Sequence, residues 1–145
     1  MSGIIDTNLL LYSINKDAPQ YLAARLFLEK VALSSDCYYL TEGILYEFLR
    51  VSTHHRVFST PLTPKQGWQY LKELTAFSSI NILGITTVHW EKLEAELSQR
   101  EDIRGNLFFD TRTVIQMREH GLKRIYTADH DFKRFSEIEV VNPLS

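Results

Sequence analysis

The sequence predicts an α/β fold: a central parallel sheet of about five short strands, flanked by helices on both faces. Three observations predict it. Short apolar runs with little polar alternation recur between longer helical patterns, as expected of strands buried on both faces. Helix punctuation falls between those runs. Thr63-Pro64 offers an N-cap followed by proline at the first helical position, and Gly121 stands where a left-handed residue ends a helix. No internal repeat, low-complexity tract or linker interrupts the pattern, so residues 1–145 read as one domain.

Taken in order, residues 2–6 form a strand around Gly3-Ile4-Ile5, and residues 18–33 a helix with apolar positions Leu22, Leu26 and Val31. Residues 37–40 are a second strand and 42–54 a second helix. The Thr63 cap starts a helix over 64–75, followed by a strand over 80–85. Residues 87–100 are helical, with Thr86 or Thr87 as the cap. A helix over 108–120 is closed by Gly121, and strands over 124–127 and 139–141 finish the chain before Pro143. In open parallel sheets ligands bind beyond the carboxyl ends of the strands, and Asp6 and Asp129 fall at or just past two of those ends.

Composition narrows the class. With 44% hydrophobic and 23% charged residues, the chain has the balance of a soluble globular protein rather than a disordered one. Its longest apolar stretch, Leu9-Leu10-Leu11-Tyr12-Ser13-Ile14, is too short for a membrane span, and no basic region precedes it as in a signal peptide. The lone Cys37 excludes an internal disulfide and suits a reducing cytoplasm. The net charge of −2 is unlike that of a protein that only grips nucleic-acid phosphates. Either an acidic cluster masks a local basic rim, or the partner is not nucleic acid.

Five acids, Asp6, Glu47, Asp110, Asp129 and Asp131, stand where a site could use them. Asp6 precedes Thr7-Asn8 and suits an N-cap or Asx turn equally well, but its place after a strand turns it toward the crevice. Glu47 interrupts an apolar helix, and a helical wheel puts it on one edge with Arg50 and His54. A buried charge there costs several kcal/mol unless it is metal-bound or paired, and a Glu47–Arg50 ion pair is the plain alternative. Asp110 opens a helix, where the dipole favours an acid, and Asn106 before it suits a cap. Asp129 and Asp131 form an Asp-x-Asp pair after a strand, with Thr127 placed to hydrogen-bond one carboxylate. Glu91, Glu94 and Glu96 belong to a polar helix face, while Asp17, Asp36 and Asp102 read as solvated charges.

Converging carboxylates repel one another, so a fold that gathers them needs a divalent cation, as in metal-dependent phosphoryl-transfer and nuclease sites. Other chemistries lack support. No His/Cys spacing suits zinc, no serine stands in a nucleophile elbow, and no glycine-rich phosphate loop exists. His54 and His55 read as surface or half-buried side chains. A haloacid-dehalogenase-type phosphatase needs an aspartate two residues after its nucleophile, where this chain has Asn8.

With these residues placed, the sequence resembles the PIN-domain ribonucleases, and more closely the VapC-type toxins of toxin–antitoxin pairs. Ile5-Asp6-Thr7-Asn8-Leu9-Leu10 looks like the first motif of the family and Glu47-Phe48-Leu49-Arg50-Val51 like the second. Gly105-Asn106 leading to Asp110 resembles the third, and Thr127-Ala128-Asp129-His130-Asp131-Phe132 the fourth. The resemblance implies that Asp6, Glu47, Asp110 and Asp129 form the metal-binding catalytic cluster, with Asp131 as a supporting ligand. It implies Thr7, Asn8, Asn106 and Thr127 as hydrogen-bonding supports, and Mg2+ or Mn2+, one ion or two, as the cofactor that activates water. It further implies an RNA substrate, a homodimer and an antitoxin whose tail occupies a groove near the site. Arg50, Arg104, Arg112, Lys133 and Arg134 are candidates for guiding RNA phosphates, with solvated surface charge as the alternative.

The chain departs from the family pattern at Thr111-Arg112, where small residues are common, so substrate choice is not inherited. Trp68, Leu71, Leu74 and Phe77 suit an exposed apolar seam or core packing equally well. The competing non-enzyme reading is a catalytically silent PIN-type module that binds RNA or protein. Intact acids at every matched position argue against it.

Overall fold

The first apolar run forms β1 (Gly3–Ile5), all three residues of which are buried, and it takes the centre of the sheet. In the computed structural model, which describes residues 2–145, the other strands are β2 (Tyr38–Thr41), β3 (Ile80–Leu83), β4 (Arg124–Tyr126) and β5 (Glu139–Val141). They pair in the order β3-β2-β1-β4-β5, and every pairing is parallel. Between them lie α1 (Thr7–Tyr12), α2 (Tyr21–Ala32), α3 (Glu42–Ser52), α4 (Pro64–Thr75), α5 (His89–Leu97) and α6 (Leu107–Glu119), with a 3-10 helix over His130–Arg134.

This order dictates where a ligand binds. The chain lays β2 and β3 on one side of β1, then returns to lay β4 and β5 on the other. Right-handed crossovers therefore send α1 to α4 to one face, where α1 packs on α2 and α3, and α3 on α4. They send the packed pair α5 and α6 to the other. The direction of winding reverses between β1 and β4, and the crevice beyond their carboxyl ends is the topological switch point. Ile4, Ile5, Leu40 and Ile125, each 0% exposed, fill the space between the two helical layers.

Several elements match the sequence reading closely. α4 spans the expected residues, and Thr63 and Gln66 form a reciprocal capping box in front of Pro64. α6 ends as expected in a left-handed Gly121, φ 69°. The Leu122 N–H donates to the Met117 carbonyl at 2.8 Å and the Gly121 N–H to Arg118 at 3.3 Å, which is a Schellman closure. α6 itself begins and ends one residue earlier than expected.

Other elements differ. The run after Asp6 is a helix, α1, in keeping with the N-cap reading of that residue, and the residues after Asp129 form a 3-10 helix that the pattern does not assign. α2 buries Ala24, Leu28 and Val31, leaving Leu22 and Leu26 71% and 59% exposed. The helix offers two rows at i, i+4 spacing, and only tertiary packing chooses between them. α5 starts at His89 without a side-chain cap, because the cap position is Val88, which has no side-chain acceptor. Thr86 lies two residues earlier, where its hydroxyl donates to Glu119 at 2.7 Å and accepts from the Val88 N–H at 3.4 Å. Leu71 and Leu74 are core while Trp68 and Phe77 are exposed, so these four residues do not form one seam. Glu96 is indeed structural: it accepts from Arg118 on α6 and pairs with Arg100. Among the described residues no helix is long and apolar enough to cross a membrane.

Exchanging Leu28 for alanine should cost about 2–5 kcal/mol in urea unfolding, because the packed α2 face cannot close the cavity. Gly121→Ala should cost about 1 kcal/mol through its left-handed backbone. A loss below about 0.5 kcal/mol for Leu28→Ala would contradict the packing of α2.

Candidate active site

The crevice is held together by one hydroxyl. Thr127, the residue after β4, uses every hydrogen-bonding position of its Oγ1. It donates to Asp6 Oδ2 at 2.8 Å and accepts from Asn8 Nδ2 at 2.9 Å and from the Asp129 N–H at 3.0 Å. Asn8 ties the same two chain segments a second time. Its Nδ2 also reaches Asp6 Oδ2 at 3.2 Å, and its Oδ1 accepts from the Ala128 N–H at 3.1 Å. Residues leaving β1 and residues leaving β4 are thereby locked side by side.

Asp6 is a cap, one of the two roles its position allows. Its Oδ1 accepts from the Thr7 N–H at 2.8 Å at the start of α1, and Asp6 is not among the residues that line the cavity between the other acids. Asp129 likewise caps the 3-10 helix through the Asp131 N–H at 2.9 Å. Asp110 lies in the first turn of α6, whose start at Leu107 carries it to the other side of the crevice. Asp110, Asp129 and Asp131 each bring a carboxylate oxygen within 4.8 Å of the others. Glu47, half-buried on α3, lines the same cavity of about 660 Å³ as those three acids. No ion pair joins Glu47 to Arg50 among the described residues, which removes the plain alternative for that acid.

Crowding shows in the acidities. Burial pushes Asp110 up from its ordinary value to about 7, and the negative charges of Asp6, Asp129, Asp131 and Glu47 add to that rise. Asp6 rises to about 6, chiefly by burial, although hydrogen bonds from Thr127 and Thr7 oppose the shift. Asp6 stands outside the tight triad of acids but feels Glu47 and Asp129 electrostatically.

Some expected supports fall elsewhere. Thr7 serves the site through its backbone N–H, and its buried hydroxyl has no partner. Asn106 occupies the cap position of α6 without a capping hydrogen bond and lines the cavity instead. Of the five candidate cations only Arg50 and Arg112 line the cavity. Arg104 turns back to the Glu101 carbonyl at 3.0 Å, and Lys133 and Arg134 are exposed beyond the cavity walls.

The structure adds residues that the pattern did not disclose. Tyr46, Gly43 and Phe109 also line the cavity. The Arg112 guanidinium lies across the start of α3 in the space that a Cβ at Gly43 would take, so any larger residue there would displace it. His54, past the end of α3, stacks on His55 and takes no part.

The donor set suits a hard cation. Three carboxylates from two chain segments converge, Glu47 lines the same cavity, Asp6 acts on them electrostatically from outside its lining, and no thiolate or imidazole stands among them. Without positive charge this arrangement holds two acids partly protonated near neutral pH, as the raised Asp110 and Asp6 show.

No family model matches the chain. It is 26% identical over 145 residues to ribonuclease VapC48 of Mycobacterium tuberculosis, covering 100% of this chain and 99% of that protein. It is 29% identical over 140 residues to a VapC ribonuclease of Mycobacterium bovis, covering 97% and 94%. Among solved structures it matches VapC20 of Mycobacterium tuberculosis, a toxin that cleaves the sarcin-ricin loop, with a TM-score of 0.69 at 18% identity over 97% of this chain and 99% of that one. The VapBC2 complex of Rickettsia felis, bound to a promoter DNA fragment, gives 0.65 at 22% identity over 98% of each chain. The five-stranded sheet with its six helices is thus a PIN-type fold. Over nearly its whole length the chain is similar to proteins named VapC ribonucleases, at 26% and 29% identity.

Because the folded-state values of Asp6 and Asp110 lie above the unfolded value near 3.9, their stabilisation is complete below that value and lost as pH rises through about 6 and 7. In chelator, wild-type stability should therefore fall between pH 5 and pH 8 relative to Asp110→Asn, which should be the more stable chain at pH 8. Urea unfolding at the two pH values measures this, and a wild type that gains on the variant with rising pH would contradict the crowding.

Proposed function

We propose that the chain is a Mg2+- or Mn2+-dependent endoribonuclease that hydrolyses RNA phosphodiester bonds and serves in the cytoplasm as the toxin of a VapBC-like pair. One observation carries the reading: carboxylates from separate segments meet at the switch point of a VapC-like fold, within 4.8 Å for Asp110, Asp129 and Asp131. The full-length likeness to proteins named ribonucleases supports the substrate class. The VapBC complexes among the structural neighbours support an antitoxin partner, and the family resemblance supports a homodimer.

Asp110, Asp129 and Asp131 are assigned as metal ligands, with Asp6 and Glu47 completing the catalytic cluster. When bound, Mg2+ or Mn2+ supplies Lewis acidity that makes water nucleophilic near neutral pH and screens charge on the phosphate. The chain contributes orientation. Thr127 and Asn8 fix Asp6 and the Asp129 backbone, so neither carboxylate must reorganise when substrate arrives. Arg50 and Arg112 line the same cavity as the acids, where they hold the phosphodiester against them. Arg104, Lys133 and Arg134, which do not line the cavity, are left to guide RNA farther out.

Incubation of the purified chain, free of partner, with structured RNAs in Mg2+ or Mn2+ tests the proposal. Cleavage should stop in EDTA and fall by about 100-fold or more in Asp110→Asn, the scale of losing a preorganised charged group. Millimolar Mn2+ should also raise the melting temperature of the wild type by mass action. Cleavage that ignores EDTA, or survives the substitution, would sink the proposal. Absence of cleavage would leave the silent module as the better reading.

A further inference from the structure

A second cavity, of about 370 Å³, adjoins the acidic one and shares Gly43, Tyr46 and Arg112 with it. Its remaining walls are Glu42, Ile85, His89 and Trp90. The volume is within the range of small-ligand pockets, which begin near roughly 300 Å³. Scattered surface aromatics need no explanation. Here, however, two large aromatics face one cavity while remaining open to solvent: Tyr46 is 77% and Trp90 65% exposed.

The cavity is also built rather than left over. His89 packs edge-on against the Trp90 ring, with centroids 5.0 Å apart and planes at 89°, which fixes the indole orientation. His89 is itself buried, and its Nδ1 donates to Glu119 Oε2 at 2.9 Å. The Thr86 N–H and hydroxyl occupy Glu119 Oε1 at 2.8 and 2.7 Å. Burial pushes the Glu119 carboxyl up, but the hydrogen bonds from Thr86 and His89 outweigh it and hold it ionised, below its ordinary value. The imidazole is therefore clamped through one nitrogen, leaving Nε2 as its only hydrogen-bonding atom toward a ligand.

Between the two cavities lies the Arg112 guanidinium. It rests over Gly43, 5.8 Å from the Phe109 ring centroid, and its buried Nε has no hydrogen-bond partner. No acid pairs with this cation among the described residues, although acids line the cavities on either side of it. A planar π surface, one oriented polar atom and an unpaired guanidinium beside a phosphodiester-cleaving centre are the three things a nucleotide needs.

We propose that this second cavity receives the base of one unpaired RNA nucleotide next to the cleaved bond, stacked on Trp90 and Tyr46, with the intervening phosphate on Arg112. The identity of the ligand rests on the ribonuclease reading, while the cavity is separate from the metal-binding acids. His89 Nε2 reads the edge of the base, so this pocket contributes base preference, and the Thr111-Arg112 departure from the family pattern supplies its phosphate contact.

Binding can be read without cleavage. Tetranucleotides of each base, titrated into the full chain in chelator, which stops cleavage in the proposed mechanism, should quench tryptophan fluorescence in the wild type and in Trp68→Ala. Trp90→Ala should weaken binding by about 5- to 150-fold, the scale of losing one base–aromatic stack, while Trp90→Phe should keep most of it. His89→Asn, whose amide can still donate near the Nδ1 position but which has no ring and no Nε2, should alter the ranking of the four tetranucleotides more than their mean affinity. Asp110→Asn, which disables cleavage in the proposed mechanism, should bind them at least as well as the wild type. Equal binding by Trp90→Ala and the wild type would overturn the inference even if RNA cleavage stands. Loss of metal-dependent cleavage with tetranucleotide binding intact would instead overturn only the nuclease reading.

Discussion

The hydrogen bond from Thr127 to Asp6 joins the ends of β1 and β4, and the geometry of the crevice follows from it. These strands are neighbours in the sheet but lie near opposite ends of the sequence, so the bond joins residues 121 positions apart. Its donor is a β-branched side chain, stiff at χ1, and 1% exposed. Asn8 doubles the tie, and together they place Asp6 and Asp129 before any ligand arrives. What they create is an electrostatic debt. Five carboxylates share one crevice, and the protein leaves Asp110 and Asp6 with acidities near 7 and 6 rather than pairing them with cations.

That restraint is informative because Arg50 and Arg112 line the same cavity as the acids, while the paired arginines lie elsewhere. Arg100 and Arg118 are committed to Glu96, Asp102 and Glu137, and Arg124 to Glu139, all away from the crevice. Arg112 stands beside the acids but lies over Gly43, with no ion pair. A fold selected only for stability would neutralise the cluster, since an uncompensated buried charge costs several kcal/mol. Repulsion stored at a switch point is the pattern of a site that a cation and an anionic substrate complete.

The sequence disclosed whatever depended on local pattern. Strand and helix alternation, the Thr63 cap and the Gly121 closure are short-range signals, and the structure reproduces them. The acids are individually ambiguous in the sequence, and two of them, Asp6 and Asp129, are caps in the structure, of which Asp129 also brings a carboxylate oxygen near those of Asp110 and Asp131. What stayed hidden required tertiary contact. Nothing in the pattern of α2 distinguishes the row of Leu22 and Leu26 from that of Leu28. The Thr86 and His89 clamp on Glu119 joins residues some thirty positions apart, without a spacing signature. Gly43 looks like an ordinary weak point of a helix until the guanidinium of Arg112 is seen to need its space.

The central claim is that the crowded acids form a cation site, and proton release on binding tests it most directly. Mn2+ titrated calorimetrically at pH 6.5, in buffers of different ionisation enthalpy, reports protons displaced from the carboxyls. The account predicts binding by the wild-type chain with release of protons from Asp110 and Asp6, and a smaller release in Asp110→Asn. Absence of Mn2+ binding at millimolar concentration, or binding with no proton released, would contradict it.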